Sequence, residues 1–219
     1  MILARENTEN GELILRVGAA GYEIIVDGQF LMSSASGASS VALVEIGLSK
    51  IAIRDGLQVL IGGMGLGFSL QTALSNRAVS EVTVVELEAE IIQWHRRGLI
   101  GDTWQWVADP RAKIVNRDLL GFIDDCRQTY DLIALDIDNG PDWLCHEANA
   151  RLYGENYLQR LREMLKPQGT LTMWSAAPSL QLQRRLHQVF GNVAEVEVMD
   201  HNGEGKLITA YIDVCENNI

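Results

Sequence analysis

The sequence predicts a doubly wound α/β domain with a mostly parallel, seven-stranded sheet, preceded by a short N-terminal β-hairpin extension. From Leu57 onward, short apolar segments typical of strands alternate with segments typical of helices. Some strand segments, such as 132–135, are apolar at every position, which is typical of parallel strands covered on both faces. A glycine-rich turn also joins the first of these strands to a helix. We therefore expect ligands to bind at the carboxyl edge of the sheet.

The predicted elements follow the chain in order. In residues 1–35, two β-rich stretches flank a Gly-Ala-Ala-Gly loop and predict the hairpin, with a third short strand at 29–32. Residues 36–219 form the predicted nucleoside-binding domain. Pro178 precedes its last helix, and a Pro-Gln-Gly turn ends the helix before that one. Strands are expected near 57–61, 81–86, 112–115, 130–136, 169–174, 193–199 and 207–214, and helices near 41–53, 68–76, 88–98, 118–127, 153–165 and 179–190.

Composition and charge narrow the classes of function. The chain has 219 residues, of which 47% are hydrophobic, so it can build one substantial core. Its formal net charge of −11 disfavours nucleic acid as a partner and is compatible with a cationic small substrate, although solubility alone also explains it. No apolar run approaches the roughly 20 residues of a membrane span, and the N-terminus lacks a signal-peptide pattern. We therefore expect a cytoplasmic protein without a membrane partner.

A glycine-rich turn followed by an acidic strand end predicts a nucleoside-binding site. The turn contributes four candidate positions, Gly62, Gly63, Gly65 and Gly67. Glu86 ends the next strand, where a carboxylate accepts hydrogen bonds from both hydroxyls of a ribose. The pattern does not separate a dinucleotide from an adenosyl-sulfonium donor. Because the chain has no Gly-Lys-Ser/Thr motif, a nucleoside triphosphate is disfavoured.

Further candidate residues follow the next strands at the same edge. Asp118 follows the third strand and is a candidate either to accept from the adenine amino group or to cap the next helix. Asp136 follows the fourth strand, where a carboxylate takes a proton or holds a nucleophilic amine. Asp138, Trp143 and Trp174 are candidates for contacting a cationic substrate. Oxygen ligands cluster in this loop and leave a metal as an alternative, but their spacing matches no metal motif, so no metal is expected.

These residues lie in segments that resemble the spermidine synthase family, which has the Rossmann-like fold of class I S-adenosylmethionine-dependent methyltransferases. The resemblance extends from Leu60 through Ser175, and the N-terminal hairpin is similar to the small β-domain of that family. It is carried by the segments Ile61-Gly62-Gly63-Met64-Gly65, Val84-Val85-Glu86, Asp109-Pro110-Arg111, Asn116-Arg117-Asp118, 130–136 with Gly140-Pro141, Leu152-Tyr153 with Tyr157, and 165–171.

The resemblance implies a transferase that binds S-adenosylmethionine or its decarboxylated form as the donor, without a metal. In the family's reaction an aminopropyl group moves from the decarboxylated donor to putrescine, and methylthioadenosine is released. By this resemblance Glu86 holds the donor ribose, while Asp118 and Leu119 face the adenine. Asp136 matches the aspartate that accepts a proton from the attacking amine. The resemblance also implies a homodimer, with the hairpin and first helix near the interface.

Two departures from the family leave the transferred group open. The family's glycine turn carries an aspartate that helps hold the amine of the decarboxylated donor, and Gly65 occupies that position. The family's acidic and aromatic polyamine-site residues are replaced by small side chains around 36–43. We therefore expect a spermidine-synthase-like transferase that moves an aminopropyl or methyl group to a small amine acceptor. The alternatives are a methyltransferase acting on a non-polyamine substrate and a non-catalytic nucleoside-binding or interaction protein.

Overall fold

The computed structural model describes residues 1–19, 21–52, 55–137, 139–144, 147–202 and 205–218. Within these residues a small antiparallel sheet precedes a larger sheet that has helices on both faces, which confirms the predicted α/β class. The strands are β1 (Ile2–Thr8), β2 (Gly11–Gly18), β3 (Gly21–Val26), β4 (Gln29–Ser33), β5 (Leu57–Gly62), β6 (Val79–Glu86), β7 (Ala112–Asn116), β8 (Tyr130–Leu135), β9 (Leu165–Ser175), β10 (Val193–His201) and β11 (Leu207–Glu216). The α-helices are α1 (Ala38–Ser49), α2 (Phe68–Ser75), α3 (Ala89–Arg96), α4 (Trp104–Val107), α5 (Leu119–Asp125), α6 (Glu155–Glu163) and α7 (Leu180–Phe190).

The N-terminal extension is larger than the predicted hairpin. Its described strands form a four-stranded antiparallel sheet in the order β1-β2-β3-β4. The prediction contained the β2–β3 hairpin and the strand at β4 but missed β1. That strand lies at the edge of the sheet, and its polar and charged residues, such as Arg5 and Glu6, leave no apolar run to detect. The boundary between 1–35 and 36–219 stays a prediction.

The larger sheet has the strand order β10-β11-β9-β8-β5-β6-β7 in the described part of the chain. β9, β8, β5, β6 and β7 are parallel, whereas β11 runs antiparallel to both of its neighbours. Each of the seven strands predicted for this domain is observed. The chain passes outward from β5 to β6 and β7 and then returns to β8 on the other side of β5. In such sheets the gap between the two central strands, at their carboxyl ends, is where ligands bind.

The helices divide into two layers with separate hydrophobic cores. Residues of α1, α2 and α3 pack on one face of the sheet, together with the N-terminal sheet. Residues of α5, α6 and α7 pack on the other face. The short α4 was not predicted, because a four-residue helix has too few positions to show a period. Among the described helices, none is both long and apolar enough to cross a membrane.

Several residues that carry the family resemblance brace the amino edge of the sheet, opposite the glycine turn. Asp131, which is 1% exposed, accepts a hydrogen bond of 2.8 Å from the ammonium of Lys166. Arg111 pairs with Asp109 at 2.9 Å and donates to the carbonyl of Leu74 at 2.8 Å. These contacts tie the starts of strands to one another and to α2, so they contribute to stability rather than to the candidate site.

Asp213 makes the stability of the fold depend on pH. It lies on β11, is 5% exposed and accepts a hydrogen bond from Gln183 of α7. Burial, together with the charge of the neighbouring Glu195, raises the pKa of Asp213 from 3.8 to about 7. The folded state therefore holds a proton that the unfolded state has lost, and the free energy of unfolding falls as the pH rises from about 4 to about 7.

We expect the substitution Asp213→Asn to remove this loss. Asparagine is neutral at every pH and still accepts from Gln183, so the variant should gain about 2–4 kcal/mol in free energy of unfolding at pH 8 and little at pH 4. Urea denaturation at both pH values measures the difference. An equal effect at the two pH values would contradict the assignment.

Candidate functional site

A cavity of about 700 Å³ opens at the carboxyl edge of the larger sheet. Its wall includes the glycine turn after β5, the residues that follow β6, β7 and β8, and the carboxyl end of β10. The N-terminal sheet and the start of α1 close the opposite side through residues such as Met32 and Ser40. The cavity therefore lies where the strand order predicts a ligand site, and it depends on both sheets.

Gly63 lets the glycine turn pass against the end of β8. Its φ is +88°, and a Cβ placed on it would lie 2.3 Å from the carbonyl oxygen of Asp136. The Asp136 N–H donates to the carbonyl of Gly62 at 2.9 Å, and the Gly63 N–H donates to the carbonyl of Val85 at the same distance. Only glycine fits this position, because every other residue would push the turn away from the strand. Gly67, with φ of +87°, is the N-cap residue that precedes α2.

The side-chain position at Gly65 is occupied by a neighbouring methionine. Gly65 has φ of +47°, and a Cβ there would lie 2.4 Å from the Sδ atom of Met32, which also accepts from the Leu66 N–H at 3.2 Å. The buried His95 donates from Nε2 to the Gly65 carbonyl at 2.8 Å and accepts from the Thr103 hydroxyl at the same distance. Burial lowers the pKa of His95, which favours the neutral ring that this pattern needs. The wall of the cavity is thus uncharged at the position where the family has an aspartate.

Glu86 holds the turn from the end of β6. It is 7% exposed, and its two carboxylate oxygens accept from the backbone N–H groups of Met64 and Glu88, each at 2.8 Å. Burial raises the pKa of Glu86, and these two hydrogen bonds lower it. Glu88 in turn accepts from the side-chain amide of Asn10 at 2.7 Å, which ties the N-terminal sheet to this end of the cavity. Glu86 lies in the cavity wall, and its role toward a ribose stays a prediction.

The residues predicted near an adenine also lie in the cavity wall. Asp118 is exposed and accepts from the Gly121 N–H at 2.8 Å, so it caps α5 as its alternative role predicted. Leu119 follows Asp118 and is buried. Its Cδ2 atom lies 2.9 Å from the position that a Cβ on Gly62 would occupy. The structure thus brings Asp118 and Leu119 to the same cavity as the glycine turn.

Asp136 belongs to a hydrogen-bond network that the sequence analysis did not predict. It accepts from the hydroxyl of Ser40 on α1 at 2.7 Å. The preceding residue, Ser39, donates its N–H and its hydroxyl to Asp200 at 2.8 and 2.6 Å. Burial raises the pKa of Asp136, the Ser40 hydrogen bond lowers it, and the charge of Asp200 raises it again. No local motif identifies Asp200, because it lies 161 residues beyond Ser39 and reaches it only in the fold.

The three residues predicted to contact a substrate differ in where they lie relative to the cavity. Trp143 lies at the cavity rim with 63% of its surface exposed. Trp174 lies in the cavity wall near the end of β9. Among the described residues, its Nε1 has no hydrogen-bond partner. Asp138 lies outside the described residues. Within the described chain, no three His, Cys, Asp or Glu side chains are grouped as a metal site requires.

The cavity wall is strongly acidic. Of the described residues in the wall, the only Lys or Arg is Arg117, which pairs with Asp125 outside the cavity. The carboxylates are Asp27, Glu86, Glu88, Asp118, Asp136 and Asp200. Such a lining raises the local concentration of cations, so the cavity suits a positively charged ligand.

The comparisons with known proteins find a family model and relatives of the same kind. The family model described as "Spermine/spermidine synthase domain" matches residues 42–200. A polyamine aminopropyltransferase of a Synechococcus species is 28% identical over 195 residues, which is 85% of this chain and 59% of that protein. Polyamine aminopropyltransferase 1 of Streptomyces coelicolor is 34% identical over 122 residues, or 55% of this chain and 22% of the relative. The chain thus spans less than two thirds of these relatives.

Solved structures of spermidine synthases share the fold. A spermidine synthase in complex with the transition-state analogue AdoDATO superimposes with a TM-score of 0.82 at 18% identity, covering 99% of this chain and 73% of the other. The Thermotoga maritima spermidine synthase gives a TM-score of 0.81 at 17% identity, with coverage of 99% and 72%. Since the similarity covers nearly the whole chain, it includes the N-terminal sheet as well as the larger one.

The close approach of Gly63 to Asp136 predicts a large effect of Gly63→Ala. Gly56 is a matched control, because its φ of +83° is similar but a Cβ there meets nothing within 4 Å. We expect Gly56→Ala to cost about 1 kcal/mol from backbone strain, and Gly63→Ala to cost at least about 2 kcal/mol more. Chemical denaturation of both variants gives the comparison. Equal losses would show that the Asp136 carbonyl does not restrict the turn.

Proposed function

The chain belongs to the spermine/spermidine synthase domain family, and from this premise we propose that it transfers an aminopropyl group from decarboxylated S-adenosylmethionine to a small cationic amine. The observation that carries the proposal is the position of Asp136. Its carboxylate lies at the end of β8, in the wall of an acidic cavity, beside the glycine turn. A base is needed there, because an amine that is cationic at neutral pH has no lone pair until it loses a proton.

The donor half of the cavity fits a nucleoside. Glu86 uses one lone pair of each oxygen for a backbone N–H, and each oxygen has further capacity to accept from a ribose hydroxyl. Asp118 and Leu119 lie in the wall of the same cavity, and in this proposal they supply an acceptor and an apolar surface for the adenine. Gly63 has no side chain, so the turn can pack against the end of β8, which brings the turn and Asp136 to the same cavity wall.

The transfer is a direct displacement that needs no covalent intermediate. Asp136 takes a proton from the acceptor ammonium, and the nitrogen lone pair then attacks the methylene carbon bonded to the donor sulfonium. The C–N bond forms as the C–S bond breaks, and the electron pair of that bond returns to sulfur. The products are neutral methylthioadenosine and a lengthened amine. Most of the rate acceleration comes from alignment of the nitrogen with the carbon, and proton removal supplies a further part.

Ligand binding tests the donor assignment. A ligand present at a hundred times its dissociation constant adds about 2.7 kcal/mol to the stability of the folded state. This corresponds to a rise in melting temperature of about 5–10 °C for a chain of this size. We expect decarboxylated S-adenosylmethionine and methylthioadenosine to raise the melting temperature of the parent protein, and S-adenosylmethionine to raise it less. The reason is that its carboxylate would enter an acidic cavity.

The Glu86→Gln variant should lose most of this stabilisation. Glu81→Gln is its control, since Glu81 lies on the same strand but pairs with Lys113 at the amino edge. Stabilisation by S-adenosylmethionine alone would indicate methyl transfer, and stabilisation by NAD alone would reject the donor class.

Turnover tests the role of Asp136. Asparagine keeps the shape of the side chain and still accepts from Ser40, but it cannot take a proton. We expect Asp136→Asn to lower the release of methylthioadenosine about a hundredfold or more while the donor still raises the melting temperature. Asp102→Asn, at an exposed site on another part of the chain, should retain parental turnover. Full activity of Asp136→Asn would rule out the proposed base.

A further inference from the structure

We infer that Asp200 is a positioning residue for Asp136, and that it acts through the first turn of α1. The inference rests on the proposed function, in which Asp136 takes the proton. It assigns a role in the reaction to a residue on β10, the edge strand of the larger sheet, which is 64 positions beyond Asp136 in the chain.

The hydrogen bonds of Asp200 suit it to hold the protein rather than a ligand. It is 2% exposed, and its Oδ2 accepts from both the N–H and the hydroxyl of Ser39. Its Oδ1 accepts from the N–H of His201 at 2.7 Å. Three donors therefore fix the orientation of this carboxylate before any substrate is bound.

Asp200 replaces a missing cap at the start of α1. The residue that precedes the helix is Gly37, which offers no side-chain hydrogen bond. The first N–H groups of a helix have no partner within it, and a negative charge at this end is favourable. Asp200 supplies both the acceptor and the charge from β10. It thereby fixes the first turn of α1 against the edge of the sheet.

The same turn holds Asp136. Ser39 contacts Asp200, and the next residue, Ser40, donates its hydroxyl to Asp136 at 2.7 Å. A shift or rotation of the first turn would move the Ser40 hydroxyl and release the carboxylate of Asp136. Two carboxylates from different strands are thus connected by two consecutive serines, and the position of one depends on the other.

Asp200 also acts on Asp136 through its charge. Its negative charge favours the protonated form of Asp136 and raises the pKa of that carboxyl, whereas the Ser40 hydroxyl lowers it. A base with greater proton affinity is better able to take a proton from an ammonium. In the part of the chain that the structure describes, the titratable and charged groups that line the same cavity as Asp136 are Asp200 and His201 from β10, Glu86 and Glu88 from the end of β6, Arg117 and Asp118 just before α5, and Asp27 from the β3–β4 turn.

A carbon-13 NMR titration of the aspartate carboxyl groups tests the coupling without requiring turnover, with the Asp136 signal assigned by its loss in Asp136→Asn. We expect Asp200→Asn to lower the pKa of Asp136 by about one unit, because the negative charge is removed while the amide oxygen still accepts from Ser39 and keeps the first turn of α1 in place. Ser40→Ala should move the pKa in the opposite direction. Asp213→Asn is the matched control, since it neutralises another buried aspartate on the opposite face of the sheet and should leave Asp136 unchanged. An unchanged pKa of Asp136 in folded Asp200→Asn would overturn the inference.

Kinetics separate this role from a purely structural one. In Asp200→Asn we expect kcat to fall about tenfold, the KM for the donor to stay within about twofold, and the acid limb of the rate profile to move to lower pH. A loss of activity without movement of that limb would also overturn the inference. If the parent protein transfers no aminopropyl group, the proposed function fails while the NMR titration still decides whether Asp200 controls Asp136.

A second variant covers the case in which Asp200→Asn does not fold. Ser39→Ala retains the charge of Asp200 and the backbone hydrogen bond and removes only the hydroxyl donor. We expect the first turn of α1 to loosen, the Ser40 contact to weaken and the pKa of Asp136 to rise. A folded Ser39→Ala protein with parental kcat and an unchanged Asp136 pKa would contradict the inference.

Discussion

The candidate site depends on the contact between the end of β5 and the end of β8. The Asp136 N–H donates to the carbonyl of Gly62, and the Asp136 carbonyl lies where a side chain of Gly63 would be. This contact places the glycine turn and the proposed base side by side without any side chain between them. The parallel pairing of the two strands, buried on both faces, fixes it. The sheet thus determines this contact, and around it lie Glu86, Met32 and the first turn of α1.

The sequence predicted the larger sheet well because its strands carry their own signal. Segments such as 132–135 are apolar throughout, and glycine and proline mark the turns between elements. β1 escaped prediction because an edge strand that is partly exposed needs no apolar run. That Glu86 and the glycine turn lie in one cavity wall was also predictable, since they have a fixed spacing along the chain, and their role toward a donor stays a prediction. The Ser39, Ser40 and Asp200 network was not, because it joins residues far apart whose types are common in loops and strands.

The residues that make the chain similar to its family have two different tasks. Those at the carboxyl edge, such as Glu86 and Asp136, surround the cavity. Those at the amino edge, such as Asp131 with Lys166, connect neighbouring strands at the edge of the sheet opposite the cavity. Similarity at the second group therefore reports a shared scaffold. The proposed reaction rests on the first group and on the cavity that these residues line.

The packing of Met32 against Gly65 restricts how this chain can change in evolution. A side chain at position 65 would collide with the Met32 thioether, and a smaller residue at position 32 alone would leave a void beside the turn and remove the acceptor of the Leu66 N–H. An aspartate at position 65 would therefore require the Met32 thioether to move away from the turn, so the residues acceptable at positions 32 and 65 depend on each other.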